Sequence, residues 1–186
     1  MCGILGYYGT KDAIPILING LKRLEYRGYD SSGIAVIGDG SIDLIKKAGK
    51  IKQLEAALMD STLRGNIGIA HTRWATHGEP NDVNAHPHLD HTESIALIHN
   101  GIIENHNVLR TALENEGIEL VSETDSEVLV QLISSLYKND GLNFSDAVRA
   151  ALQEVVGAYG IVVISKDDPD TIVAARYGSP LVLGVE

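Results

Sequence analysis

Short apolar runs of strand length arrive in adjacent pairs along this chain, and the 3.6-residue period arrives in separate clusters. That order constrains the fold more than any other feature. Neighbouring strands joined by brief turns pair antiparallel, whereas a doubly wound parallel sheet needs a helix after nearly every strand. Residues 3–8 form an apolar run closed by Gly9, which predicts a buried strand. From Asp12 onward Ile14, Leu17, Ile18, Leu21 and Leu24 share one helical face, with Pro15 in the first turn where its missing donor is harmless. Residues 27–32 read as a polar turn, and 33–37 with 41–47 as a hairpin around Gly38-Asp39-Gly40. A short helix is expected over 52–59 and a strand over 66–71.

Residues 72–93 show neither period, and a loop of that length is usually functional. A strand over 94–99 then runs straight into Asn100-Gly101. Asn105 is placed to cap a helix bearing Val108, Leu109, Ala112 and Leu113, stopped by Gly117. A strand over 118–122 leads to Thr124-Asp125-Ser126-Glu127, which has capping-box spacing ahead of the clearest helix in the chain. One more helix, carrying Ala147, Val148, Ala151 and Leu152, precedes strands over 159–165, 171–176 and 181–185. The expected class is α+β with mainly antiparallel sheets.

Composition narrows function. Fifteen basic against 25 acidic side chains give a formal charge of −10, which argues against nucleic acid or an anionic membrane surface as partner. No apolar run approaches the ~20 residues of a bilayer span, and no signal sequence is visible, so the expected location is the cytoplasm. Glycine signatures of dinucleotide and P-loop sites are missing, and residues 28–33 do not fit a serine nucleophile elbow.

The single cysteine excludes an internal disulfide framework and cysteine-rich zinc sites, and it stands at position 2. Excision of the initiator before a small side chain would make Cys2 the first residue. Nucleophile and base would then share one residue, since an α-amine with a pKa near ~7.7–8.0 can take the thiol proton. The alternative is a small residue beside a buried strand. All seven histidines lie between His71 and His106. His86-Pro87-His88-Leu89-Asp90-His91 could be a metal cluster or a set of hydrogen-bonding loop residues. Arg73, beside the only tryptophan, Trp74, is suited to bidentate capture of a carboxylate or to an ordinary surface role. Asn100 and Gly101 at a strand end outline an oxyanion hole and equally an ordinary turn. Asp125 enters the first turn of the strong helix, where the dipole favours its charge.

Taken together, five stretches resemble the class II glutamine amidotransferases: Met1-Cys2-Gly3-Ile4, the run from Arg23 through Tyr26-Arg27-Gly28-Tyr29-Asp30 to Ser31, and Ala70-His71-Thr72-Arg73-Trp74-Ala75-Thr76-His77-Gly78, with His99-Asn100-Gly101-Ile102-Ile103-Glu104-Asn105 and Ser122-Glu123-Thr124-Asp125-Ser126-Glu127. The resemblance covers essentially the whole chain. It implies the four-layer αββα sandwich of N-terminal nucleophile hydrolases over 1–186, as a glutaminase domain incomplete at its C-terminal end. It also implies that Cys2 is nucleophile and, through its freed amine, base, with the Asn100 side chain and Gly101 N–H as oxyanion donors. Arg73 would grip the α-carboxylate of glutamine or glutamate and Asp125 its α-ammonium. Thr76 and His77 would line the same pocket, Trp74 would act as a lid, and Arg27 would lie near the nucleophile. No metal or organic cofactor is implied. Residues 26–30 and 73–78 point to the branch that hands its ammonia to sugar isomerase domains, which are absent from these 186 residues. The resemblance leaves room for homo-oligomerisation of the complete enzyme. Two other classes stand beside it: a non-catalytic amino-acid-binding module of the same fold, and a histidine-loop metalloprotein.

Overall fold

Among the described residues, eight strands sort into two four-stranded antiparallel sheets, and five α-helices cover their outer faces. The structure is a computed structural model and describes residues 2–76, 78–139 and 141–185. The first sheet has the order β1 (Gly3–Tyr8), β4 (Ile67–Arg73), β2 (Ser31–Gly38), β3 (Ser41–Ala48). The second has the order β5 (His88–Leu89), β6 (Ile95–Ile103), β7 (Gly157–Ser165), β8 (Asp168–Tyr177). Helices α1 (Ala13–Leu24) and α2 (Ile51–Met59) pack on the first sheet. On the second sheet, α4 (Asp125–Asn139) and α5 (Phe144–Glu154) pack directly, and α3 (His106–Asn115) lies against α4.

Strand alternation divides the apolar residues among three layers. In β2, Ile34 and Val36 turn toward α1 and α2, while Ala35 and Ile37 meet the opposite sheet. In β6, Ile95, Leu97 and Ile103 turn toward α4 and α5, while Ala96 and Ile98 enter the inter-sheet layer. The order of layers is therefore α, β, β, α, as expected.

Local chemistry sets most boundaries. Asp12 caps α1 by accepting from Ile14 N at 3.1 Å, and Asn143 caps α5 by accepting from Asp146 N at 2.9 Å. Ahead of α4, Thr124 Oγ1 accepts from Glu127 N at 3.2 Å. The reciprocal half of the expected capping box is redirected, because the Glu127 carboxylate accepts from Val121 N and Ser122 N instead. Those two bonds fix 118–122 as an irregular connection, where a strand was expected, and Val121 stays exposed.

Other expectations change as well. Ser31 and Ser32 belong to β2 rather than to a turn, and the chain reaches them through a 3₁₀ turn at Glu25–Arg27. Strand β4 runs two residues further than the apolar pattern, so Arg73 is a strand residue rather than a loop residue. Asn100 and Gly101 lie inside β6, paired with Gly160 and Tyr159, and not in a turn at its end. Asn105 sits at the start of α3 but does not cap it: its side chain bonds Glu154 O and Val156 N, and of the predicted α3 face only Leu113 is buried. The turn before β8 is only Lys166-Asp167, and residues 181–185 form no strand. The 72–93 segment contains β5 and is largely packed, with Asn84, Ala85, His86, His88 and Asp90 buried.

Candidate active site

At one end of the molecule the inter-sheet layer changes from hydrocarbon to polar side chains and opens as a cleft of ≈ 420 Å³. The strands alone explain why these residues meet. Register pairs Gly3 of β1 with Thr72 of β4, so Cys2 falls beside the end of β4. Cys2 is in phase with Ile4, which faces the opposite sheet. Arg73 is in phase with Ile67 and Ile69, and Asn100 with Ala96 and Ile98, all inter-sheet residues. Each of the three continues a buried apolar face past its last hydrophobic member.

The thiol is held closely. Trp74 N lies 3.2 Å from Cys2 Sγ, Sγ lies 3.8 Å from Trp74 O, and Gly3 N donates to Thr72 Oγ1 at 3.0 Å. Asp30 anchors the same strand end, its backbone N donating to Arg73 O at 2.8 Å and its carboxylate accepting from Ala75 N at 2.5 Å. Arg73 is only 3% exposed. Burial pulls its guanidinium below the usual range, and Asp30, Cys2 and Asp125 oppose that shift. Its Nη atoms donate to Gly78 O at 3.4 Å and Glu79 O at 3.5 Å.

Opposite stands Asp125 at the N-terminus of α4, where its Oδ2 accepts from Ile103 N at 2.9 Å and lies 3.9 Å from His99 Nδ1. Gly101 has φ 147°, and a Cβ there would stand 2.0 Å from Ala158 O, so the strand admits only glycine at this point. Cys2, Arg73, Trp74, Thr76, Asn100, Gly101 and Asp125 all line the cleft. Arg27 does not, although the neighbouring Gly28 approaches the Trp74 ring. His77 and Met1 lie outside the described residues.

His99, Thr124 and Ser126 also line the cleft and were not singled out as site residues from the sequence, and so does His86, which the sequence offered only as a metal ligand or a hydrogen-bonding loop residue. His99 carried a signal, since it directly precedes Asn100-Gly101, and its Nδ1 meets Ser126 Oγ at 2.9 Å. His88 Nε2 meets Thr124 Oγ1 at 3.0 Å. The rings of His71 and His86 stand 4.4 Å apart, and those of His86 and His88 4.7 Å. Burial, reinforced by the neighbouring cations, lowers His71 to about 3 and holds His86 and His88 well below the usual histidine range. His91 lies apart and pairs with Gln131. No group of three or more metal-ligating side chains arranged to hold an ion occurs among the described residues.

A thiol, a buried cation and a buried carboxylate around one cleft, in two antiparallel sheets between helices, define an N-terminal nucleophile hydrolase fold of the amidotransferase type. The chain belongs to the glutamine amidotransferase domain family, whose model matches residues 71–184. It is 57% identical, over its whole length, to the glutamine–fructose-6-phosphate aminotransferase (isomerizing) of Chlorobaculum tepidum, of which it covers 31%. It is 53% identical to the protein of that name from Bacteroides thetaiotaomicron, of which it covers 30%. The chain thus spans about a third of the length of these curated relatives. Among solved structures, the glutamine phosphoribosylpyrophosphate amidotransferase of B. subtilis superposes with a TM-score of 0.78 at 27% identity, over 95% of this chain and 37% of that one. A structure described as the allosteric regulatory enzyme of purine biosynthesis gives 0.80 at 27% identity, with the same coverage.

Proposed function

We propose that this chain hydrolyses the side-chain amide of glutamine to glutamate and ammonia, with Cys2 as nucleophile. The observation that carries the reading is the convergence of Cys2, Arg73, Asn100, Gly101 and Asp125 on one cleft from β4, β6, α4 and the chain start. Arg73 takes the α-carboxylate and Asp125 the α-ammonium of glutamine, so that the amide carbon reaches Sγ. Thr76 adds to the pocket wall, and the exposed Trp74 closes over the bound amino acid. The role of His77 falls outside the described residues, and Arg27, expected near the nucleophile, does not line the cleft.

With the initiator removed, the Cys2 amine takes the thiol proton and sulfur adds to the amide carbon. The oxyanion that forms is met by Asn100 Nδ2 and Gly101 N–H. The ammonium then returns its proton to the departing nitrogen, the C–N bond breaks and ammonia leaves a glutamyl thioester. Water adds to that thioester, sulfur departs and takes back a proton, and glutamate is released. No residue in this sequence of steps calls for a metal or an organic cofactor.

The relatives are named for glutamine and fructose 6-phosphate. On that ground we further propose that the complete protein uses the ammonia to make glucosamine 6-phosphate in sugar isomerase domains, as a cytoplasmic enzyme that assembles with copies of itself. The test is glutamine hydrolysis by a preparation whose mass shows Cys2 as first residue. Cys2→Ala is expected to abolish turnover and leave the unfolding temperature within a few degrees, because the chain has no second thiol. Hydrolysis persisting in that variant near the parent rate overturns the assignment.

A further inference from the structure

Two side chains that the reaction itself does not use fasten the segment after Arg73 to the N-terminal end of α4. Asn84 is 1% exposed, and its Nδ2 donates to Glu79 O at 3.1 Å and to Glu123 Oε2 at 3.0 Å. Its Oδ1 accepts from Glu123 N at 3.0 Å, and Glu123 Oε2 accepts in addition from Glu79 N at 3.3 Å. Gly78 closes tightly on this pair: its φ is +76°, and a Cβ there would stand 2.6 Å from Asn84 Nδ2 and 3.0 Å from Glu123 Cβ.

The two ends of the proposed amino-acid grip attach to opposite sides of this fastening. On one side, the Gly78 and Glu79 carbonyls accept from the Arg73 guanidinium. On the other, Glu123 is followed by Thr124 and Asp125, both lining the cleft. Arg73 sits on the first sheet and Asp125 on a helix over the second, so no single element fixes their separation.

We propose that Asn84 and Glu123 are positioning residues that set the separation of Arg73 from Asp125, and thereby the preference of the cleft for a ligand carrying both an α-carboxylate and an α-ammonium. The inference rests on the reading of Arg73 and Asp125 given under the proposed function. Two-point recognition is steep in geometry, since a guanidinium displaced by about 1 Å loses its paired hydrogen bonds while keeping its charge. The far edge of the same segment is secured independently. Lys46 Nζ donates to Val83 O and Ala85 O at 2.9 Å, and Asp82 accepts from Ala48 N at 2.7 Å and Lys47 Nζ at 2.9 Å. Cutting the Asn84–Glu123 connection therefore loosens one side of the segment without releasing it.

The experiment compares the parent chain, beginning at Cys2, with Asn84→Ala, Glu123→Ala and Glu123→Gln. Glutamine kinetics, inhibition by glutamate, glutarate and 4-aminobutanoate, and thermal unfolding are measured on each. Glutarate lacks the ammonium and 4-aminobutanoate the α-carboxylate. Both alanine variants are expected to raise KM for glutamine about tenfold or more with kcat within about threefold, and to shrink the preference for glutamate over both analogues by a similar factor. Glu123→Gln retains an amide oxygen at the acceptor position and is expected to stay within about threefold of the parent KM. Unchanged KM and preference in folded variants overturn the inference. So does a fall in kcat alone, or a Glu123→Gln variant as impaired as Glu123→Ala. If an alanine variant does not fold, Asn84→Ser, which still removes the amide, carries the same expectation. A parent that neither hydrolyses glutamine nor is protected thermally by glutamate overturns the functional reading itself, a failure distinct from a working parent with unaffected variants.

Discussion

Arg73 carries its charge into a site where 3% of its surface meets solvent, and that cost has to be offset by what surrounds it. Asp30 and Asp125 raise its affinity for the proton against the effect of burial, and two loop carbonyls accept from its Nη atoms. A ligand carboxylate would complete that coordination as a fork. Lysine at this position supplies a charge but not two parallel donors, so Arg73→Lys is expected to weaken transition-state binding by about 1.5–3 kcal/mol. In kcat/KM for glutamine this is roughly tenfold to a hundredfold, carried mainly by KM. Wild-type kinetics in Arg73→Lys would place the guanidinium outside the substrate's reach. That Cys2, Arg73 and Asp125 share one cleft was anticipated through the resemblance of the motifs around them, since each side chain alone left an ordinary structural use open. Thr124 and Ser126 were not legible, and His86 was read only as a metal ligand or loop residue: each has an ordinary structural use, and only the folded register brings them to the cleft wall.

Among the elements, regular periods were readable and irregular packing was not. Helix α4 and the β2–β3 hairpin follow their apolar patterns closely, because their apolar residues are the ones packed into the core layers. The β4 pattern stops early at His71 because the inter-sheet layer itself turns polar there, so Thr72 and Arg73 carry no apolar signal while still pairing with Ser32 and Ser31. Residues 181–185 show the opposite error: they are apolar enough for a strand and stay exposed. The segment from Trp74 to Glu93 hides its order in hydrogen bonds and in the contacts of His86 with the rings of His71 and His88. Those imidazoles make a prediction about acid. His71, His86 and His88 are held neutral when folded, whereas an unfolded histidine takes a proton near pH ~6.5. Between that pH and about 3, the value for His71, the unfolded chain binds more protons than the folded one, so stability falls as pH falls. Each such histidine contributes a slope of up to about 1.4 kcal/mol per pH unit. Asp90, held below the usual carboxylate range by hydrogen bonds that outweigh its burial, adds its loss only below about pH 4. Urea unfolding at pH 7, 6, 5 and 4.5 is therefore expected to show a progressive decline already above the carboxylate range. A flat profile from pH 7 to 4.5 would mean that these rings are protonated or solvated in the folded state.

At the scale of the whole molecule, what the cleft holds decides which part of a larger reaction this chain can perform. The antiparallel α+β class was legible from the pairing of strands, whereas the four-layer order came through the family resemblance. The two sheets then leave one polar end where the β1, β4 and β6 registers converge. Along the described lining of that end, Arg73 is the only arginine or lysine, and it is already engaged by carbonyls and flanked by carboxylates. A sugar phosphate needs a dianion cradle of backbone N–H groups and further cations. The chain as a whole opposes it, with a formal charge of −10. The expectation is that the 186-residue chain, with Cys2 exposed, forms glutamate and free ammonia in equal amounts. Millimolar fructose 6-phosphate should leave that rate unchanged and should not be consumed. Ammonia and glutamate measured enzymatically, with hexosamine phosphate followed by mass spectrometry, check both halves. Hexosamine phosphate appearing in proportion to glutamate, from a preparation shown free of any longer protein, would mean that a sugar-phosphate site exists within these residues and that the division between amide chemistry and sugar chemistry is drawn in the wrong place.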